Sequence, residues 1–409
     1  MKKILIFEPG TGGHHAEYLE ILICYHLQHN HDIKLSLVIN PKVLDEMTGV
    51  KLENVDTKLL DIIPLTNIEL VLCNKGSLIR CAFMRWKISR KHAQKCGADH
   101  VLFLFLDIVQ LPFAFHLPWP RKMTVSGILF QPSVHYKYCG LALEERVVEF
   151  IKRVRKKIVI LMLLSNPAFC MLFTMDEYFF QYAKLHFSKS RKLSYIPDPA
   201  LMSKEIFCQS GDGISSLVRN ERNVLLLFGA LTARKGIFKV LSAIDKLDIK
   251  TKKKITFIFA GKVCEKDKEE FYRKLNTLTD NPDNHDLILV IDRFLTRIEI
   301  VSLVSGCDMV LAPYQRFIGP SGVALWAASS KKPLITQNYG LLGAWVNEYK
   351  LGLSVDTTEP KEIASTITQA IRIGIDKIGD KNLMEKFIEL HKVDDFAFGI
   401  YKNIRSSIK

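Results

Sequence analysis

Val224-Leu-Leu-Leu-Phe-Gly-Ala-Leu-Thr-Ala-Arg-Lys-Gly236 is the stretch that decides how this chain is read. An apolar run, Val224–Phe228, enters a short turn that ends in Arg234, Lys235 and Gly236. A helical pattern follows at Ile237–Leu247. A parallel strand delivers its following loop to the carboxyl edge of a sheet, where α/β proteins bind ligands. Two cations there, beside the free amides of a helix N-terminus, suit a diphosphate. The same residues also read as an ordinary strand–loop–helix unit with a solvated Arg-Lys pair. On this segment alone both readings stand.

Working outward, strand and helix patterns alternate along the whole second half. Strands are expected at Ile255–Ala260, Leu287–Ile291, Met309–Ala312 and Pro333–Thr336, with helices at Lys266–Leu278, Arg297–Ser305, Ser321–Ser329 and Pro360–Ile373. A last helical segment covers Asp394–Ile408. The first half behaves alike: strands at Lys3–Phe7, Ile33–Ile39, Val101–Leu106, Thr124–Phe130 and Cys170–Thr174, helices at Ala16–Gln28 and Glu144–Ser165. Continuous apolar runs such as Val101–Leu106 belong to strands buried on both faces of a parallel sheet. Two runs of βα units imply an α/β protein with two doubly wound, Rossmann-like domains. Pro197-Asp198-Pro199 stiffens the backbone and marks the boundary. The expected domains are residues 1–198 and 199–390, with residues 391–409 forming a closing helix that packs back on the first domain.

The 409 residues exceed one ordinary core, and a hydrophobic content of 48% argues against disorder. The 9 cysteines are odd in number and form no Cys-x-x-Cys pair, which fits a reducing cytoplasm and excludes a disulfide framework or zinc site. The opening residues, Met1–Gly10, read as a strand, because their apolar run is too short for a signal-peptide core. Ile158–Phe173 is apolar but broken by Ser165-Asn166-Pro167, too short for a bilayer crossing. A net charge of +14 favours anionic partners. Nucleic acid ranks low among them, since neither zinc-finger spacing nor an aromatic RNP-type strand is present.

Other residues fit the same chemistry. The loop Gly10-Thr11-Gly12-Gly13-His14-His15 lacks the dinucleotide fingerprint. Gly12 and Gly13 would let a phosphate or sugar approach the backbone, and His14 and His15 would hydrogen-bond a substrate or lie on the first helical turn. Asp107 follows an apolar strand and reads either as a base and sugar-hydroxyl ligand or as a helix N-cap. His135 and Tyr136, in the aromatic, polar stretch Gly127–Tyr138, are candidates for an acceptor pocket. The helix at 144–165 carries Arg146, Lys152, Arg153, Arg155, Lys156 and Lys157 beside apolar residues, a pattern that suits an anionic membrane surface or a solvated face. Ser321 stands at a helix start, so its neighbours Gly322 and Val323 offer free amides. That is a second anion cradle, expected on the same sheet edge as Arg234 and Lys235.

Taken together, these motifs resemble the retaining glycosyltransferases of the GT-B fold, and the resemblance runs over nearly the whole chain. It implies two Rossmann-like domains facing a crevice, with the donor in the second and the acceptor in the first. Gly229–Gly236 is similar to the family's Gly-Arg-…-Lys-Gly turn. Lys235 matches its lysine, while Ala230 stands where its arginine stands and Arg234 takes that place. The family's Glu-x7-Glu pair falls on Ile318 and Trp326, so both glutamates are absent. The resemblance implies a retaining, metal-independent hexosyltransferase without a cofactor. It would move a sugar from a nucleotide sugar to a glycan or lipid-linked acceptor in cell-surface polysaccharide or glycolipid synthesis, at the cytoplasmic side of the membrane. Arg234, Lys235, Ser321, Gly322 and Val323 would grip the donor diphosphate. Asp107 and His14 would be catalytic, and His15, His135 and Tyr136 would line the acceptor site. Two alternatives stand beside this one: a non-catalytic scaffold or partner subunit on the same fold, and a nucleotide-sugar epimerase.

Overall fold

Strands rich in Ile, Leu, Val and Phe, most of them buried on both faces, build two all-parallel sheets in a computed structural model of the chain. The structure describes residues 1–12, 14–47, 56–136, 143–200, 222–284 and 286–408. Gly13, positions 137–138 of the aromatic stretch and the polar stretch up to 221 lie outside them. The chain divides into two compact units, one of Met1–His135, Glu144–Pro199 and Lys392–Lys409, the other of Tyr136–Leu143 and Ala200–His391.

The first unit holds β1 (Lys2–Glu8), β2 (Ile33–Ile39), β3 (Leu60–Pro64), β4 (His100–Phe103), β5 (Thr124–Leu129), β6 (Phe169–Thr174) and β7 (Leu193–Tyr195). Their order across the sheet is β3-β2-β1-β4-β5-β6-β7. The second unit holds β8 (Asn223–Phe228), β9 (Ile255–Ala260), β10 (Ile288–Ile291), β11 (Met309–Ala312), β12 (Leu334–Gln337) and β13 (Gly352–Val355), in the order β10-β9-β8-β11-β12-β13. Each sheet is wound outward in both directions from a central pair, β1 with β4 and β8 with β11. In doubly wound sheets these reversals are the switch points, and the loops leaving them open a crevice at the carboxyl edge. This is the GT-B architecture of two Rossmann-like units.

Several elements depart from the sequence expectation. The first helix starts at His14, not Ala16, so both histidines sit in its first turn. β4 ends at Phe103, and a helix already begins at Leu106. The apolar run continues through the turn because Leu104 and Leu106 are fully buried as well. Asp107 is therefore a first-turn helical residue and not the end of a strand. It is not the N-cap either, since Phe105 occupies that place. Helices at Asn67–Asn74, Leu78–Cys96, Gly340–Glu348 and Lys381–Glu389, and the edge strands β3 and β13, were not anticipated.

The closing helix, Val393–Ser407, belongs to the first unit. Phe396, Ile400 and Ile404 are fully buried, Tyr401 Oη donates to the Leu22 carbonyl at 3.1 Å, and Arg405 pairs with Asp32 at 3.0 Å. The described cysteines are all free thiols. Among the described residues no helix is long and apolar enough to cross a membrane.

The turn after β8 is held by one close approach. Gly236 has φ +82°, and a Cβ there would lie 2.1 Å from the Pro313 carbonyl oxygen that follows β11. Gly236→Ala combines a left-handed backbone with that overlap. It is expected to lower unfolding free energy by about 2 kcal/mol or more, read from the midpoint of urea denaturation.

Candidate functional site

At the β8–β11 switch point, the loops behind the two strands meet. Thr232 accepts a hydrogen bond from Lys235 N at 3.3 Å and tightens a 3-10 turn at Ala233–Lys235. Gln315 N donates to the Arg234 carbonyl at 2.8 Å, tying this turn to the segment after β11. Lys235 Nζ folds back over Gly229 and donates to the Phe228 carbonyl at 3.0 Å. It also stands 5.7 Å above the Tyr314 ring. Arg234 is exposed, with its guanidinium 5.0 Å above the Phe317 ring. Stacking on an aromatic face leaves the in-plane N–H fork open toward a planar or tetrahedral oxyanion.

The second anion-binding feature is contiguous with the first. Tyr314 Oη and Ser321 Oγ are 3.0 Å apart, so the ring beneath Lys235 also touches the hydroxyl at the start of helix Gly322–Ser329. Ser321 is the N-cap of that helix, yet its side chain makes no capping bond because the hydroxyl faces Tyr314. The first turn of the helix, with Gly322 and Val323, is left without a side-chain acceptor. Two cations and an uncapped N-terminus thus converge through Tyr314 and Phe317. Backbone N–H groups there are suited to an anion's oxygens, and an ammonium that donates one proton to a carbonyl keeps two more.

In the first unit, the β1–β4 switch point gathers a different set. His15 Nδ1 lies 3.0 Å from Glu8 Oε1, an ion-pair distance without hydrogen-bond alignment. Its ring packs 3.8 Å from that of Phe105, which stacks at 4.5 Å on Phe130. Asp107 accepts from Phe130 N at 2.8 Å and Gln131 N at 3.3 Å, and pairs with Lys156 at 3.3 Å. Its carboxylate braces the loop after β5. His14 lies 2.9 Å from Glu17 through Nδ1 and keeps 43% of its side chain exposed. Gly12, at φ +76°, donates its amide to Glu46 at 3.0 Å. His135 stands apart from these, 3.9 Å from Asp176. Burial pushes its pKa down to about 4, so its imidazole is neutral near pH 7. Tyr136 is half-buried and is grouped with the second unit.

The residue that sequence reading passed over is Glu8. It is 1% exposed, accepts from Gly10 N at 2.8 Å, and its second carboxylate oxygen is buried without a hydrogen-bond partner. The signal was available: an acidic residue closes the otherwise apolar run Ile4–Phe7 just before Pro9-Gly10. Among the described residues, no three His, Cys, Asp or Glu side chains stand close enough to hold a metal ion.

Residues 214–389 match the family model for Glycosyl transferases group 1. The chain is a GT-B-fold protein. Solved structures agree over essentially its full length. A sucrose-phosphate synthase from Thermosynechococcus elongatus matches with a TM-score of 0.72 at 14% identity, covering 100% of this chain and 99% of that one. WaaG, a glycosyltransferase involved in lipopolysaccharide biosynthesis, matches at 0.61 and 11%, covering 98% of each. Anabaena Alr3699/HepE, solved in complex with UDP, matches at 0.64 and 13%, covering 99% of this chain and 100% of that one. At such identities the likeness speaks for the fold. No curated protein matches the sequence.

Within this GT-B fold, the two positions aligned with the usual glutamates are apolar and buried: Ile318 is 3% exposed and Trp326 is 9% exposed. Ile318 packs where Gly340 approaches it, and its carbonyl accepts from Leu341 N at 3.1 Å. The two cations of the turn are held differently, and stability separates them. Lys235→Met removes the bond to the Phe228 carbonyl and should cost about 1–2 kcal/mol. Arg234→Ala at the exposed position should stay within about 0.5 kcal/mol. Chemical denaturation of both variants checks the contrast.

Proposed function

We propose that this protein is a glycosyltransferase that moves a sugar from a nucleotide-sugar donor to a glycan or lipid-linked acceptor. The observation that carries the reading is the convergence of Arg234, Lys235 and the uncapped start of helix Gly322–Ser329 at one switch point. The group 1 match over residues 214–389 and the nucleotide named in the HepE structure support it.

In this reading the donor diphosphate lies against Arg234, Lys235, Ser321, Gly322 and Val323. As the glycosyl–oxygen bond breaks, negative charge grows on the departing nucleoside diphosphate. The Arg234 fork, the Lys235 ammonium and the helix amides meet it without reorganising. Fixed cations take the charge a divalent ion would otherwise take, a metal-independent arrangement that needs no cofactor. The acceptor binds at the β1–β4 switch point near Gly12, His14 and His15. The exposed His14 meets the acceptor hydroxyl there. Asp107 acts as a positioning residue for the loop after β5, and His135 extends the acceptor side of the first unit. Retention of anomeric configuration follows the family. The work belongs to cell-surface polysaccharide or glycolipid synthesis at the cytoplasmic face of the membrane, with the helix at 144–165 as peripheral contact.

A second reading, a non-catalytic partner subunit on the same fold, draws on Ile318 and Trp326, which put packed apolar side chains at both glutamate positions. Calorimetry separates the two. The transferase reading expects a nucleoside diphosphate to bind, and Arg234→Ala to weaken it about tenfold or more. No heat of binding across a panel of nucleotides and nucleotide sugars would remove it in favour of the subunit.

A further inference from the structure

Two apolar stripes of the first unit face outward, and both stand at the carboxyl edge of its sheet. The first lies on helix Leu143–Ser165. Val147, Phe150, Ile151, Val154 and Ile158 recur at helical spacing on one side, each between 42% and 59% exposed. The buried residues of this helix, Ile160, Leu163 and Leu164, begin only near its end. Lys156 fixes the level, because its ion pair with Asp107 lies just beyond β4. The dozen or so residues before Lys156 therefore run about 20 Å past the sheet edge. Arg155 and Arg146, both exposed, flank the stripe on its two sides.

The second stripe lies where helix Asn67–Asn74 passes into helix Leu78–Cys96. Ile68, Val71, Leu78 and Ile79 are between 47% and 78% exposed, among the exposed cations Lys75 and Arg80. Asn74 Nδ2 donates to the Pro9 carbonyl at 3.0 Å, directly after β1, so this junction also sits at the carboxyl edge. Arg85 anchors it from below through the Cys73 carbonyl at 3.1 Å and Asn74 Oδ1 at 2.7 Å. The two stripes share one face of the sheet. The crossovers from β3 to β4 and from β5 to β6 step in the same direction along the strand order, and right-handed connections put such helices on the same side. Ile88, Phe113 and Ile160 accordingly join one core cluster.

We propose that the two stripes form one docking surface for an anionic lipid bilayer, with the carboxyl edge of the first unit turned toward the headgroups. Apolar side chains enter the acyl boundary while the flanking cations meet lipid phosphates. Exposed charge beside the two stripes is mainly basic, with Glu144 the acidic exception at the helix start, and this excess favours an anionic bilayer over a second, equally basic copy of the chain. Docking here brings the β1–β4 switch point to the membrane. Resting on the transferase reading, the acceptor is then an amphiphile held in the bilayer and not a freely diffusing glycan.

The test is co-sedimentation of the full chain with phosphatidylcholine vesicles, with and without phosphatidylglycerol. Binding is expected to need the anionic lipid and to fall as salt rises. Phe150→Ser with Ile151→Ser, and separately Leu78→Ser with Ile79→Ser, should each reduce partitioning about tenfold or more. These positions are exposed, so thermal midpoints should hold. The surface is refuted if the chain ignores anionic vesicles, or if neither pair of substitutions changes binding. It is equally refuted if light scattering shows a dimer that the same substitutions dissolve. Partitioning requires no nucleotide or turnover. Vesicle binding with flat nucleotide calorimetry would keep the surface and remove the transferase reading, and the reverse pair of results would do the opposite.

Discussion

Gly236 and Pro313 come closer than any side chain would allow, and the second unit's site depends on that approach. A backbone pressed to within 2.1 Å of where a Cβ would sit locks the turn after β8 against the segment after β11. Once locked, the remaining contacts have little freedom. Gln315 reaches the Arg234 carbonyl, Tyr314 comes under the Lys235 ammonium, and Phe317 comes under the Arg234 guanidinium. Ser321 is drawn to Tyr314 and away from the helix it would normally cap. Around this one steric requirement for glycine stand two cations and a helix start that its N-cap side chain leaves uncapped.

The first unit solves a comparable problem with a buried carboxylate. Glu8 holds the start of the glycine loop through Gly10 and sits beside His15, while Asp107 holds the loop after β5. Two acidic side chains, Glu8 at the end of β1 and Asp107 in the first helical turn after β4, shape the loops at this switch point. Their neighbours Phe105 and Phe130 supply a stacked aromatic floor between them.

Much of this was legible in the sequence where one physical rule dominated. Central strands are mostly apolar because both faces are covered, and Ile33–Ile39, Ile255–Ala260 and Met309–Ala312 appear where the pattern places them. Edge strands obey a weaker rule. β3 and β13 are mostly half-buried and carry no such run, so they left no comparable trace. Helix Gly340–Glu348 contains two glycines and starts from a positive φ, which hides it from propensity arguments. The Arg-Lys-Gly turn was visible because its parts are adjacent in sequence. The Tyr314–Ser321 link and the Glu8–His15 pair were not, because each closes seven residues of one irregular loop, whose path no periodicity in the sequence fixes. Asp107 was misplaced because hydrophobicity alone cannot show where a buried strand ends and a buried helix begins.

The closing helix has a consequence for how the protein is made. Residues 393–407 complete the core of the first unit, yet the ribosome delivers them only after the entire second unit. Until then the surface that receives Phe396, Ile400 and Tyr401 stays uncovered on the nascent chain. The first half to be synthesised is the last to be finished. A fragment ending at the Pro197-Asp198-Pro199 boundary would carry that exposed apolar face permanently, and a chaperone that shields it would act throughout elongation.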